Sequence, residues 1–290
     1  MSGSVAVSSP PLLEMRAIEK RFGDVYANRG VDLSLRAGEV LGLLGENGAG
    51  KTTLMNILFG MYSVDAGSIR IGGEALSIHS PADALAHGVG MVHQHFHLVP
   101  GHTVLENLMV GAPGRHGMLD SKGMRARVQA IGAQYGLHLA CDARVGDLSV
   151  GEQQRVEIVK ALVRGARILI LDEPTSVLTP QQSEGLFAAL RALTADGVGI
   201  IFISHKLKEV LDITDRLAIM RHGRMVAEMD NNQRRSHNYG NPPGDLTALK
   251  QAQGEIDERE TKSQAQGSPH MEKVKRHQNA IHTSISTSFT

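Results

Sequence analysis

Residues Gly45 to Thr53 read GENGAGKTT, and this glycine-rich run constrains the possible folds more than any other part of the sequence. In the pattern G-x-x-x-x-G-K-T, glycines let successive backbone N–H groups turn onto a phosphate. Lys51 adds positive charge toward the β- and γ-phosphate oxygens, and the Thr52 hydroxyl can ligate Mg²⁺. A strand-like run, Val40 to Leu44, leads in, and Thr52 to Leu58 leads out with helical spacing. The run therefore predicts a nucleoside triphosphate site; a glycine-rich turn with an incidental lysine is the plainer alternative.

A second motif, Ile168 to Glu173, is an apolar strand-like run that ends in two carboxylates. This arrangement places Asp172 to hold the Mg²⁺ shell and Glu173 to polarise an attacking water. A buried strand followed by a charged loop is the plainer interpretation, since α/β proteins often contain one. The glycine-rich loop upstream favours the catalytic interpretation.

A third motif, Leu148 to Arg155, reads LSVGEQQR and precedes a helical pattern. Ser149 and Gly151 would present a hydroxyl and bare backbone N–H groups at a helix start, where an anion can bind. A plain N-cap is the alternative, because serine and glutamate are common at helix starts. The presence of all three motifs in one chain favours the anion site.

Composition narrows the classes of partner. Lys plus Arg and Asp plus Glu number 30 each, and Trp is absent, so no nucleic-acid-binding surface is predicted. The single cysteine, Cys141, permits no intrachain disulfide, fits a reducing cytoplasm and is interpreted as structural. The N-terminus has no secretory signal pattern, and the apolar runs are too short to span a bilayer. Any membrane association is therefore expected to come through a partner.

Two sets of strand patterns predict an α/β fold. Leu12 to Phe22, Val31 to Leu35 and Gly67 to Gly73 predict an antiparallel layer around the phosphate loop. Ile168 to Leu171 and Ile200 to Ile203 are apolar, β-branched runs, each preceded by a helix-compatible stretch. They predict a buried parallel sheet.

The remaining regions differ in character. Between about residues 94 and 165, apolar residues recur at helical spacing without strand signals, which predicts an inserted, mostly helical subdomain. Residues 231–290 are polar, with sparse large apolar residues, and cannot bury enough surface to offset the entropy of ordering. We predict a globular domain over residues 1–230 and a low-complexity, disordered tail over 231–290, with 250–265 the best candidate for a helix.

Taken together, the three motifs resemble the ATPase domain of ABC transporters over roughly residues 12–229. The resemblance implies a P-loop NTPase core with a parallel sheet, an antiparallel β layer and an inserted helical subdomain. It also implies ATP and Mg²⁺ as ligands. In that family, the glycine loop and strand carboxylates of one domain close over the nucleotide against the signature segment of a second domain.

Several residues take roles from this resemblance. Gln94 matches the glutamine that contacts Mg²⁺ and the water, and His205 matches the histidine that touches the γ-phosphate. Phe22 matches the aromatic residue that stacks on adenine; Tyr26 is a weaker candidate, and a core aromatic is the alternative for Phe22. Ser176 to Thr179 matches the loop that communicates with the opposite site.

The resemblance thus implies four sets of site residues. The catalytic set is Glu173, His205 and Gln94, and the metal set for Mg²⁺ is Thr52, Gln94 and Asp172. The ATP-binding set is Phe22, Gly45, Glu46, Asn47, Gly48, Ala49, Gly50, Lys51, Thr52 and Thr53. The signature set, which acts on the nucleotide of the second domain, is Ser149, Val150, Gly151, Glu152 and Gln153.

Three histidines near Gln94 raise one further possibility. His93, His95 and His97 alternate and would share one face of a strand, as metal ligands can. No carboxylate or cysteine cluster accompanies them, so we do not predict a metal site there.

Longer stretches narrow the resemblance to one branch. Met91 to Gly111, LSVGEQQRVEIVKAL and DEPTSVLTPQQ are similar to bacterial importers of simple sugars and nucleosides, especially those that work with basic-membrane-protein-type binding proteins. Thr179, in place of an aspartate, is typical of that branch. The branch implies membrane permease subunits and a substrate-binding protein as partners. It also implies a peripheral position on the cytoplasmic face of the bacterial inner membrane.

ATPases of that branch carry two such domains in tandem, whereas the resemblance here covers one. Three hypotheses follow: the chain homodimerises, it pairs with a separate chain that carries the second domain, or it is a truncated product that binds ATP but turns it over poorly. We favour an active ATPase, because all the hydrolytic residues are present. A soluble ABC ATPase without a permease is the other alternative, but the sequence has neither a long coiled-coil insertion nor a basic surface pattern.

Overall fold

The computed structural model describes residues 10–94, 96–111 and 120–231. Every residue of the four predicted site sets lies within these ranges. His95, residues 232–290 of the predicted tail and the helix predicted over residues 250–265 lie outside them. Asn231, the first residue of the predicted tail, is buried, and its side-chain amide donates to the carbonyl oxygens of Leu211 and Thr214.

An antiparallel sheet covers one side of the phosphate loop, as the strand patterns predict. Its strands, in the spatial order β2-β1-β4-β5, are β1 Leu13–Phe22, β2 Val25–Leu35, β4 Ala66–Ile71 and β5 Glu74–Leu76. β2 begins earlier than the predicted Val31, because the residues from Val25 onward pair with β1 although many of their side chains are exposed. The first half of β2 is held by backbone hydrogen bonds to β1, and such pairing leaves no pattern of alternating apolar residues in the sequence.

The second sheet has six strands in the order β10-β9-β3-β8-β7-β6, which confirms the predicted parallel sheet. Its strands are β3 Val40–Leu44, β6 Val89–Val92, β7 Ile168–Asp172, β8 Gly199–Ile203, β9 Arg216–Arg221 and β10 Arg224–Asp230. The first five are parallel to their neighbours, whereas β10 is antiparallel to β9. β3 and β8 are buried along their whole length, as central strands of a covered parallel sheet must be.

Three strands of this sheet, β6, β9 and β10, are not predicted by the sequence patterns. β6 has only four residues and includes Gly90, and β9 begins and ends with arginine. The first of these arginines, Arg216, is buried and paired with Glu39, with 2.8 Å between Nε and Oε1. β9 is therefore specified by its neighbours rather than by its own composition.

Helices cover the sheets and form the region predicted between residues 94 and 165. The seven helices of the described residues are α1 Lys51–Leu58, α2 Pro81–Ala86, α3 Val104–Met109, α4 Ser121–Tyr135, α5 Val150–Val163, α6 Pro180–Ala195 and α7 Leu207–Ile213. α3, α4 and α5 pack on one another, and α5 also packs on β6 of the core sheet. None of these described helices is long and apolar enough to cross a bilayer.

The carboxyl ends of four parallel strands meet at one edge of the six-stranded sheet. The phosphate loop follows β3, Gln94 follows β6, Glu173 follows β7, and His205 follows β8 after one residue. Ligands of open α/β sheets bind at such an edge, outside the carboxyl ends of the strands. Strand order thus brings together residues that are far apart in the sequence.

Candidate active site

The phosphate loop runs from β3 into α1 and is held tightly at two glycines. Gly45 has a φ of 153°, and a Cβ there would overlap the carbonyl oxygen of Met220 in β9. Gly50, the N-cap of α1, has a φ of 102°, and a Cβ there would overlap the carbonyl oxygen of Ala27 in β2. Both positions require a residue without a side chain, because neighbouring backbone occupies the space.

Lys51 and Thr52 lie in the first turn of the helix that follows this loop. The Lys51 side chain is buried and curls over the loop, where Nζ donates to the carbonyl oxygens of Gly45 at 2.6 Å and Glu46 at 3.0 Å. Thr52 is exposed, so its hydroxyl is accessible to a ligand. The amino end of α1 and the lysine together form a positive, donor-rich surface.

Asp172 is the last residue of β7 and is poorly solvated. Burial, reinforced by the neighbouring Glu173 carboxylate, raises its pKa to about 6, whereas the Lys51 ammonium acts in the opposite direction. The phosphate loop and the strand carboxylates lie at the same edge of the six-stranded sheet. A carboxylate held in this way is stabilised by a cation, because ionisation is otherwise costly.

Glu173 follows Asp172 with an unusual backbone conformation. Its φ of 51° lies in the left-handed region, and its backbone N–H donates to the carbonyl oxygen of Ile203 at 2.9 Å. Its Oε1 lies 3.0 Å from Nδ1 of His205, so these two predicted catalytic side chains are in contact. Its Oε2 is buried and has no hydrogen-bond partner within the described part of the chain. Strained residues of this kind cluster at functional sites.

Gln94 is exposed just beyond β6 and lines a groove of about 570 Å³. The same groove is lined by Val150 and Gln153 of the signature segment and by Val177 of the loop after β7. The structure therefore brings Gln94 beside the signature segment and the loop Ser176 to Thr179.

The signature segment forms the start of α5. Ser149 is the N-cap, and with Glu152 it makes a reciprocal capping box: the Glu152 N–H donates to Ser149 Oγ, and Glu152 accepts from the Ser149 backbone N–H at 2.9 Å. The Ser149 hydroxyl also donates to the Glu152 carboxylate at 2.7 Å, and these bonds lower the pKa of Glu152. Gly151 is buried, and a Cβ there would lie 2.9 Å from Nε2 of Gln182 in α6. Ser149 is thus an N-cap, as the plainer interpretation of the motif predicts. An anion site at the same helix start stays a prediction.

The aromatic candidates lie at the β1–β2 hairpin. Phe22 is half-buried, with its ring edge on to Tyr62 at a centroid distance of 5.2 Å. Tyr26 is 41% exposed, and the guanidinium groups of Arg21 and Arg29 each lie 5.1 Å from its ring centroid. Phe22 is not buried as a core aromatic would be, and its assignment as the adenine platform stays a prediction.

The histidines near Gln94 do not share a strand face, contrary to the geometry considered from the sequence. β6 ends at Val92, so His93 and His97 lie in the following loop, with their rings edge to face at 4.8 Å. Among the residues that the structure describes, no group of three or more His, Cys, Asp or Glu could hold a metal ion. Cys141 is buried, and burial raises the pKa of its thiol.

The catalytic loop, residues 173–179 after β7, is contacted by three residues without a role predicted from the sequence: Gln154, Lys206 and Glu209. Gln154 donates to the Pro174 carbonyl oxygen, Lys206 donates to that of Thr175, and the Thr175 hydroxyl donates to Glu209. Gln154 could have been suspected from its place beside the signature segment. The others become visible once the fold brings α7 against the loop after β7.

The residues present fit ATP and Mg²⁺ on three observations. Lys51 and the amino end of α1 supply positive charge, and the exposed Thr52 hydroxyl lies beside them. The raised pKa of Asp172 indicates a carboxylate that a cation would stabilise. The buried Oε2 of Glu173, without a partner among the described residues, suits an acceptor of a hydrogen bond from water.

The sequence profile of the ABC transporter family matches residues 28–176, which include the phosphate loop, the signature segment and the β7 carboxylates. The chain therefore belongs to the ABC transporter family and has the fold of its ATP-binding domain. A solved ATP-binding cassette of an ABC transporter in its ADP conformation superimposes with a TM-score of 0.69 at 28% identity, covering 76% of this chain and 91% of that chain.

Curated relatives are named as import proteins. The nucleoside import ATP-binding protein NupA of Lactococcus lactis is 45% identical over 221 residues, which cover 76% of this chain and 44% of NupA. The ribose import ATP-binding protein RbsA 2 of Streptomyces coelicolor is 46% identical over 223 residues, which cover 77% of this chain and 43% of that relative. The chain thus spans less than half the length of the curated relatives that it matches.

Proposed function

We propose that the chain is an ATP-hydrolysing domain that powers import of a simple sugar or a nucleoside through a membrane permease. The observation that carries the hydrolytic part is the 3.0 Å contact between Glu173 Oε1 and His205 Nδ1, at the sheet edge that also carries the phosphate loop. The names of the relatives, a nucleoside importer and a ribose importer, support the transport part. We expect the permease and a substrate-binding protein, rather than this domain, to select the substrate.

Each side chain has a distinct role in the proposed hydrolysis. Lys51 and the loop N–H groups bind the phosphates, and Phe22 stacks on adenine. Glu173 accepts a proton from the attacking water, while His205, held 3.0 Å from Glu173, stabilises charge on the γ-phosphate. Thr52, Gln94 and Asp172 would hold Mg²⁺, which neutralises phosphate charge when bound.

The proposal also includes a second ATPase domain and a peripheral position at the membrane. Ser149 to Gln153 act on the nucleotide of that second domain, supplied by another copy of this chain or by a separate chain. The domain lies at the cytoplasmic face of the bacterial inner membrane as a peripheral subunit. The groove is lined both by Gln94 and by Val150 and Gln153 of the signature segment, which supports coupling between the site and a bound partner.

ATP turnover with Mg²⁺ across a wide range of protein concentrations tests this proposal, with Lys51→Ala as the blank. We expect specific activity that rises with concentration, because two domains complete each site. The blank should bind ATP weakly and show no concentration-dependent turnover.

Two other outcomes have clear meanings. ATP binding without turnover above the blank at any concentration would contradict a self-sufficient enzyme and would favour a nucleotide-binding remnant or a required partner domain. Activity that is independent of concentration in a protein that stays monomeric would contradict the shared sites.

A further inference from the structure

Gln154 is a buried polar residue that joins the signature helix to the catalytic loop. It lies in the second turn of α5, its side chain is 2% exposed, and its Nε2 donates to the Pro174 carbonyl oxygen at 2.6 Å. Pro174 directly follows Glu173. The bond therefore links the helix that begins with Ser149 to the residue next to the predicted general base.

The same loop is held from its other side by α7. Lys206, next to His205, donates from Nζ to the Thr175 carbonyl oxygen at 3.1 Å and to Glu209 at 3.2 Å. The buried Thr175 hydroxyl donates to Glu209 as well. Two consecutive carbonyl groups, those of Pro174 and Thr175, thus accept hydrogen bonds from two different helices.

The loop between these contacts has little freedom of its own. The Glu173 N–H donates to the Ile203 carbonyl oxygen in β8, and the Ser176 hydroxyl donates back to the Glu173 carbonyl oxygen at 2.9 Å. The left-handed backbone of Glu173 is maintained by this surrounding set of bonds. A displacement of α5 would therefore act on Glu173 through Gln154.

We propose that Gln154 is a positioning residue for hydrolysis: it makes the placement of Glu173 depend on the position of the chain's own signature helix. The proposal rests on the proposed ATPase function and adds a connection within one chain. The signature segment serves the nucleotide of the second domain, whereas Glu173 serves the chain's own nucleotide. Gln154 thus links the two sites through one hydrogen bond.

The decisive substitution is Gln154→Met, which keeps the length of the side chain and removes the donor. We expect kcat for ATP to fall about 10- to 100-fold, because small misplacements of catalytic groups cost up to about 10²-fold. KM should change less than about twofold, since the phosphate loop is untouched. Asn107→Leu is the matched control: it keeps the length of the side chain and removes another buried amide that donates to carbonyl oxygens, those of Val99 and Thr103, away from the catalytic loop.

Gln154→Glu keeps the size of the side chain and replaces the donor amide by a carboxyl group. It therefore tests the hydrogen bond to Pro174 and not the packing of the side chain. An ionised carboxylate would face the Pro174 carbonyl oxygen and repel it, whereas a protonated carboxyl can donate to it. Burial raises the pKa of a carboxyl group. Relative to the wild-type protein at the same pH, turnover of Gln154→Glu per folded protein should therefore recover as the pH falls from 8 toward 6. The folded fraction is measured by circular dichroism at each pH, because an ionised carboxyl group at this buried position also destabilises the fold; recovery of the folded fraction alone would indicate a purely structural role. This variant also keeps the test decisive if Gln154→Met fails to fold.

Hydrogen exchange of the peptide from Glu173 to Thr179 provides a readout that needs no activity. We expect faster exchange in Gln154→Met than in the wild-type protein, and no change in Asn107→Leu. Unchanged exchange and unchanged kcat in Gln154→Met would overturn the proposal. A wild-type protein that binds ATP without turnover would instead contradict a self-sufficient enzyme, and the exchange comparison would still decide whether Gln154 holds the loop.

Discussion

At the scale of single residues, Glu173 is under three constraints. Its backbone is in the left-handed region, one carboxylate oxygen contacts His205, and the other is buried without a partner among the described residues. A non-glycine residue in this region costs on the order of 1–3 kcal/mol. The surrounding bonds keep Glu173 in place against that cost, which is expected of a residue retained for chemistry rather than for stability.

Glu173→Gln should keep ATP binding and reduce turnover about 10²- to 10⁴-fold, because the amide cannot accept the proton of the attacking water. Steady-state ATP turnover at saturating nucleotide measures this loss. Glu106→Gln is the control, since glutamine can replace glutamate in the capping box of α3. Turnover that survives in Glu173→Gln would contradict the assignment of the general base.

Asp172→Asn should stabilise the protein in the absence of metal and nucleotide. The pKa of Asp172 is raised from 3.8 to about 6 in the folded chain, so the folded state loses stability as the pH rises from about 4 to about 6. The gain from Asn should be near zero at about pH 4 and reach at most about 3 kcal/mol above pH 6. Urea unfolding in EDTA from pH 4.5 to 8 measures it. A gain that does not change with pH would contradict burial as the cause.

At the scale of elements, the start of α5 has one observed role and one predicted role. Its capping box satisfies the backbone N–H groups of the first turn, and the same turn is the predicted contact for the nucleotide of the second domain. Glu152 already accepts from the Ser149 hydroxyl, so binding of a phosphate there requires the hydroxyl to reorient. Substitutions at Ser149 can separate stability from binding, because aspartate can replace serine as an N-cap but would repel a phosphate.

Ser149→Ala should lower the free energy of unfolding by about 1 kcal/mol, whereas Ser149→Asp keeps a good N-cap and should lose less. The Asp carboxylate would repel a phosphate, so turnover should fall further in Ser149→Asp than in Ser149→Ala. Urea unfolding and ATP turnover on both variants give the comparison. If turnover instead followed stability, with Ala the poorer of the two, Ser149 would be a plain N-cap.

The elements also show what a sequence can predict. β3, β7 and β8 are predicted because buried parallel strands need continuous apolar runs, and the site residues lie at fixed offsets from their ends. β9 escapes prediction because the charge of Arg216 is neutralised by Glu39, which is distant in the sequence. The role of Gln154 is not predicted for the same reason, since its hydrogen-bond partner is the Pro174 carbonyl oxygen, twenty residues away in the sequence. Tertiary partners leave no local pattern.

At the scale of the whole molecule, two sheets and a helical region each contribute part of the site. The buried Arg216 guanidinium of β9 joins the two sheets, because it pairs with Glu39 at 2.8 Å and donates to the carbonyl oxygen of Ser34 in β2 at 2.5 Å. Gln154 joins the helical region to the loop after β7, so the phosphate loop, the carboxylates and the signature segment belong to one connected framework. In the proposed assembly, two such frameworks complete each nucleotide site.

Mixing two inactive variants tests that arrangement. Lys51→Ala lacks a working phosphate loop and Ser149→Asp lacks a working signature segment, but a mixed pair has one intact composite site. An equimolar mixture should recover roughly a quarter of the wild-type turnover, because half of the pairs are mixed and each has one good site of two. ATP turnover before and after mixing measures the recovery. No recovery, with both variants folded and associated, would contradict sites shared between two copies.

The strand order also has a consequence for synthesis. β3, which carries the phosphate loop, lies between β8 and β9, and the Val40 N–H donates to Asp215, 175 residues later in the chain. At about 5–20 residues per second, a ribosome adds those residues in roughly 9–35 s. During that interval an apolar strand is without both of its neighbours. The emerging chain must therefore shield Val40 to Leu44 by other contacts until its last strands arrive.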